Sequence, residues 1–358
     1  MTIQTIFILG GVQALFSFGI LFFSPSRKRK ANRYLALFML TLLCENLFVL
    51  FQDSGILSHF LYEICRFNFL TMTFLFFYVI EIVGVKLKNG IIEYLPAIVE
   101  LVILSVMELA IHLSPGFLSE NAGFIFERTY SVLTTTYVIV MCIRMILLIR
   151  EHQIALPSFY ANVYSKSLKW LEVFCWGSII LIFFVQCNDF FIQSQELTTT
   201  LSIFYTVFLC YFISIGGIKQ MNIENRLEIK KEGASFEEKT DSGLTKMFSE
   251  IEKIMLSKKL YLNPKLNLKG FSIEVNLSQR QVSQAINSVG LKNFYAYVND
   301  YRIEEAKRLL NDKELIEKFS ISTIATEVGY NSRASFYKNF NTYTNQSPTE
   351  YIQSQQLK

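Results

Sequence analysis

Seven long apolar runs follow one another in the first part of the chain, near residues 3–23, 34–51, 60–83, 91–111, 130–149, 170–190 and 197–217. Each is close to the roughly 20 residues a helix needs to cross a hydrocarbon layer. From residue 244 onward the pattern changes. Apolar positions recur three and four apart and alternate with polar stretches, as amphipathic helices require. The chain therefore predicts an all-α protein, with a seven-span helical bundle over residues 1–218, a linker over 219–243 and a polar helical domain over 244–358.

The segments between the runs test this reading. Segments on one side hold Arg27, Lys28, Arg29, Lys30, Arg33, Lys86, Lys88, Arg150, Lys166 and Lys169. Those on the other side, residues 52–59, 112–129 and 191–196, hold only Arg128. Ten basic residues against one orients the bundle by the positive-inside rule. The N-terminus then lies outside and the odd number of spans leaves the C-terminal domain in the cytoplasm. No Lys or Arg precedes the first run, which reads as a retained span rather than a cleaved leader.

Composition agrees with the division. Charged residues are 18% of the chain, below the roughly 25% of a soluble domain. The deficit lies in the apolar part. Six cysteines sit in or beside apolar runs without a CxxC pair, so neither a disulfide framework nor a zinc site is expected. His59, His112 and His152 are scattered. No metal, cofactor or catalytic motif is expected.

The C-terminal pattern is the most specific. Ser320 suits a helix N-cap. Ile321, Ile324, Ala325 and Val328 form one apolar face, and Gly329 suits a left-handed stop. Ser332 caps a second helix in which Phe336 and Phe340 face inward. Ser347, Pro348, Thr349 and Glu350 read as a capping box with proline at the first helical position. Helix, glycine turn and helix with a polar face is the form of a helix-turn-helix. A weaker copy spans residues 266–290, where Leu268, Phe271 and Val275 face inward. Asn276 stands at its turn, Ser272 lies inside its first helix, and Ser278 caps a helix held by Val282 and Ile286. Residues 292–311 contain no Pro or Gly and read as one joining helix. Leu244, Met247, Phe248, Ile251 and Met255 predict a further short helix.

Arg302, Ile303, Ala306, Leu309, Leu310, Ile321, Ile324, Ala325, Val328, Gly329, Tyr330, Ser332, Phe336, Phe340, Ser347, Pro348 and Tyr351 together resemble the C-terminal signature of the AraC/XylS family of bacterial transcription regulators. The resemblance covers about residues 244–355. Asn276 and Ser272 depart from it, at positions where the family usually has glycine and alanine. It implies two recognition helices set into successive major grooves of promoter DNA. Carried over by position, Arg280, Ser283 and Gln284 of the first and Arg333, Ser335, Tyr337 and Lys338 of the second are the candidate DNA contacts. Double-stranded DNA, the lipid bilayer, a second copy in a homodimer and RNA polymerase are the partners of this reading. It places the protein in the bacterial inner (cytoplasmic) membrane.

Ionisable groups inside spans are candidates for function. Glu45, Arg66, Glu108 and Asp189, with Glu63, Gln186 and Asn188, fall at similar depths toward the outer side. They form a candidate site for a small-molecule or membrane signal, with an Arg66–Glu45 pair. The leading function is a one-component sensor and DNA-binding transcription regulator, not an enzyme. A transporter, or a plain membrane anchor with a cytoplasmic helical regulatory domain, is the alternative.

Overall fold

A computed structural model describes residues 3–23, 30–53, 66–114, 119–163, 167–192, 194–220 and 241–356. Among these every named element is helical, and the one β-type pairing is an isolated antiparallel bridge between Tyr160 and Asn267. The chain sorts into two compact units. One comprises Met1–Glu151 and Leu168–Arg226, the other His152–Ser167 and Leu227–Lys358.

The first unit contains α1 (Ile3–Phe23), α2 (Lys30–Asp53), α3 (Asn68–Val83), α4 (Leu95–Leu113), most of α5 (Glu120–Phe159), α6 (Lys169–Cys187) and α7 (Gln195–Gln220). A 3-10 turn, Gly90–Tyr94, leads into α4, and a π turn, Asn188–Ile192, ends α6. Leu35, Phe38 and Met39 of α2, Phe76 of α3, Met145 of α5, Phe174 of α6 and Ile213 of α7 share one buried core. Gly216 and Gly217 let α7 approach closely. A methyl group there would run into the Trp170 ring and into Leu35 respectively. Small residues serve such close helix contacts in lipid. Ser17 of α1 adds a hydrogen bond to Ser214 of α7 at 2.8 Å.

Seven helices coincide with the seven apolar runs, but only three among the described residues are long and apolar enough to cross a membrane. These are Gly90–Leu113, Asn121–Phe159 and Lys169–Ile192. The expected count of seven is corrected to that extent. Over described residues α1 and α3 give apolar stretches of only Phe7–Phe23 and Asn68–Val83. Helices α2 and α7 carry polar positions such as Lys30, Arg33, Asn46 and Asp53, or Thr198, Thr200 and Lys219. Arg27, Lys28, Arg29, His59, Glu63, Cys65, Lys166 and residues 221–240 of the expected linker lie outside the described residues.

The outer face of α4 is apolar and exposed, with Leu95, Ile98, Val102, Val106 and Leu109 all about half accessible or more. Contiguous exposed apolar patches of this kind mark surfaces that meet a partner, a membrane or a ligand.

The second unit is built around α11 (Phe294–Leu310). Before it come α8 (Asp241–Ser257), a 3-10 turn (Leu260–Leu262), α9 (Leu268–Glu274) and α10 (Gln279–Ser288). After it come α12 (Lys313–Lys318), α13 (Ile321–Glu327), α14 (Arg333–Thr344) and α15 (Pro348–Gln356). Phe294, Tyr297 and Val298, in the first half of α11, close a core with Met247, Ile251, Phe271, Val282 and Ile286. Ile303, Ala306 and Leu310, in its second half, close another with Ile324, Val328, Phe336 and Phe340. One helix thus contributes to both cores.

Candidate nucleic-acid interface

Each of the two motifs is set by its caps. Ser278 accepts the Gln281 amide, and the Gln281 side chain accepts the Ser278 amide in return, a full capping box at the start of α10. Ser320 accepts from the Thr323 amide and Ser332 from the Ser335 amide. At α15 the Ser347 amide donates to Glu350 at 2.7 Å, and the Glu350 amide donates to Ser347 Oγ. The first of these bonds holds the Glu350 carboxyl below its ordinary range. The turns also match expectation. Asn276 has φ 55° and Gly329 φ 92°, both in the region open to glycine and tolerated by asparagine. Ser272 is buried, yet its hydroxyl is satisfied by the Lys269 carbonyl.

In α10 Val282, Ala285 and Ile286 are buried, while Arg280 and Gln284 are exposed and Ser283 is half-buried. In α14 Phe336 and Phe340 are buried, Arg333 and Lys338 are exposed and Tyr337 is half-buried. Ser335 differs from its neighbours in being buried. Arg333 lies over the Tyr337 ring at 4.8 Å and donates to the Tyr337 hydroxyl at 2.9 Å. That contact holds a planar guanidinium at the N-terminal end of the helix.

Helix α14 is fixed to the connector at two further points. Tyr295 donates to the Asn339 side chain at 2.6 Å, and Tyr343 donates to the Ala296 carbonyl at 3.2 Å. The other anchor is Arg302, fully buried in α11. Its guanidinium donates to the carbonyls of Tyr261 (2.7 Å), Asn263 (2.8 Å) and Ala161 (3.2 Å). Burial pulls its pKa down, to about 10, which leaves it charged at neutral pH. In the sequence Arg302 stands out only through the resemblance. Its spacing from Val298, Ile303 and Ala306 on the buried face of α11 was the available signal.

The expected outer polar residues are distributed differently. Arg66 pairs with Glu127, at 3.1 Å, and lies over the Tyr130 ring. Glu45 accepts from the Thr71 hydroxyl. Glu100 is buried and accepts from the Tyr130 hydroxyl at 2.7 Å and from the Phe69 amide at 3.1 Å. Asn68 donates to the Tyr130 oxygen. The cluster therefore centres on Glu100, Tyr130 and Glu127 rather than on an Arg66–Glu45 pair. Asp189 accepts from Thr198 at the turn after α6, and Gln186 donates to Ser131 and Thr135. Glu108 is half-buried on α4. Glu127 and Tyr130 were missed, although their spacing of three places them on one face of α5.

A family described as "Helix-turn-helix domain" matches residues 271–354, and the match is of the AraC type. It begins within α9 and takes in the rest of the first motif, the connector and the second motif. No curated protein and no solved structure matches the chain. The matched domain supports binding to double-stranded DNA and a role in transcription regulation.

Proposed function

We propose that the protein is a membrane-bound, one-component transcription regulator. The observation that carries this is the pairing of two capped helix-turn-helix motifs on one buried connector. The polar residues of α10 and the basic end of α14 are left accessible. Helix α11 is about 26 Å long, of the order of the 34–36 Å between successive major grooves on one face of a duplex. Arg280 and Gln284 of α10 then read base edges in one groove, with Ser283 beside them. Arg333 reads in the next, with Tyr337 and Lys338 on phosphate. Arginine bonds guanine at two atoms and glutamine adenine likewise, each pair worth about 1–3 kcal/mol of discrimination. Ser335, buried, positions the helix through its amide.

In this reading residues 1–218 carry the membrane domain, with the N-terminus outside. Residues 219–243 link it to the reader at 244–358, which lies in the cytoplasm. The exposed apolar face of α4 and the biased distribution of basic residues support it. The polar cluster around Glu45, Arg66, Glu100 and Tyr130, with Glu108 and Asp189 elsewhere in the bundle, is where a signal would act. A second copy, binding beside the first, would raise affinity through linkage.

The test is selection of duplexes from a random library by the full chain held in phospholipid nanodiscs. The expected result is a motif of two short blocks, with affinity that falls steeply with salt. Indifference to every duplex at moderate salt would end the proposal.

A further inference from the structure

Helix α5 ends at Phe159, with Pro157 in its last turn. The residues that follow belong to the second unit. Ala161 is buried in the core of the first helix-turn-helix. Its amide donates to the Leu266 carbonyl at 3.3 Å, and Tyr160 bridges Asn267, the residue that caps α9. Its carbonyl accepts from Arg302 at 3.2 Å and from Asn299 at 3.4 Å, both on α11. A short extended stretch is thus bonded on one side to the entry of the first motif and on the other to the connector. Helix α14 is fastened to that same connector. The stretch therefore bears on the angle between the two recognition helices.

We propose that the cleft between the start of α9 and α11 is a docking surface, and that its occupant is residues 159–162 of this same chain. Docked, the segment clamps the first motif to the connector at the spacing that two-groove binding needs. Drawn out, it leaves the Arg302 guanidinium short of an acceptor and opens the core around Ala161, and the two motifs no longer hold one register. Helix α5 is continuous from Glu120, through Glu127 and Tyr130, to Phe159. The inference rests on reading the second unit as a duplex binder and names how that binding is regulated.

The experiment uses the full chain in phospholipid nanodiscs and two duplexes, one carrying both selected blocks and one carrying only the block read by α14. Ala161→Trp cannot fit the buried site. It should weaken binding to the two-block duplex by about tenfold or more, because linkage between the motifs is lost, while leaving the one-block duplex unaffected. Ala161→Pro keeps the volume small, removes the amide that bonds Leu266 and fixes φ there, and it should give a smaller loss of the same kind. If Ala161→Trp fails to fold, Ala161→Pro decides. Undiminished preference for two blocks in the folded variants overturns the clamp, and so does tighter binding. A wild-type protein that binds neither duplex overturns the functional reading instead.

Discussion

Gly329 lies against the carbonyl of Tyr261 so closely that a methyl group on it would be 2.8 Å from that oxygen, and equally close to the carbonyl of Leu262. Its φ of 92° adds a second restriction. The turn of the second helix-turn-helix is therefore packed on the 3-10 turn that precedes the first. Gly329→Ala would meet backbone on one side and an unfavourable φ on the other. We expect a loss of about 3 kcal/mol or more, seen as faster amide exchange throughout α13 and α14. Exchange unchanged from wild type would show that the turn moves aside at little cost.

Arg302 ties the connector α11 to that same 3-10 turn and the residue after it. Replacing it by Met keeps the volume but leaves the carbonyls of Tyr261 and Asn263 without their donor. Hydrogen bonds to a charged group contribute about 1.5–3 kcal/mol each, and a buried acceptor left alone costs about 1–3. Arg302→Met should lower stability by about 3 kcal/mol, and Arg302→Lys should recover only part, since a point charge cannot span the fork. Chemical denaturation of the three proteins measures this. A Lys variant as stable as wild type would show that the charge alone matters.

Arg333 and Lys338 should separate on DNA. Arg333→Ala is expected to relax preference at one base pair by about 1–3 kcal/mol. Lys338→Ala should weaken all duplexes evenly and reduce the slope of log affinity against log salt by about one. Tyr337→Phe removes the hydroxyl that Arg333 donates to and should mimic a mild form of the Arg333 change. Competition binding across single-base variants of the selected site distinguishes the three. A uniform loss for Arg333→Ala would move that residue from base reading to phosphate.

Much of the reader was legible because its signals are local. Ser278, Ser320, Ser332 and Ser347 each bond an amide three residues on, so the cap is written in a window of four. The left-handed turns at Asn276 and Gly329 likewise depend on one residue and its neighbours. What could not be read were pairings across long stretches of chain. Arg66 finds Glu127, and Arg302 finds the carbonyl of Ala161; neither partner shares a periodic pattern with its mate. Helix α12, only six residues long and mostly charged, was invisible for another reason. It has no apolar stripe, and its start rests on Asp312 accepting the amides of Glu314 and Leu315. Span length was blurred as well, since an apolar run shows where a helix lies but not how many residues face lipid.

The crossing number and direction of the bundle can be settled by reporter fusions. Alkaline phosphatase fused within residues 112–129 or 191–196 should be active, since these segments lie outside in the proposed topology. Fluorescent protein fused within 84–90, 150–169 or after 219 should fold and fluoresce. The physical reason is the charge on the connecting segments. Ten basic residues would have to be translocated in the reverse orientation, against one in this, and short loops rich in Lys and Arg resist translocation. Bidentate pairing of Arg144 with Glu93, at 2.7 and 2.8 Å, and a single contact of Arg150 with Glu172, at 2.7 Å, offset part of the charge at that end without removing it from the loops. Moving the bias tests cause as well as correlation. Changing Arg27, Lys28, Arg29 and Lys30 to Gln should produce a mixed population at the first crossing while the later segments keep their sides. Phosphatase activity at the C-terminal end of the wild-type chain would put the helix-turn-helix motifs out of reach of the chromosome, and the regulator reading would fall with it.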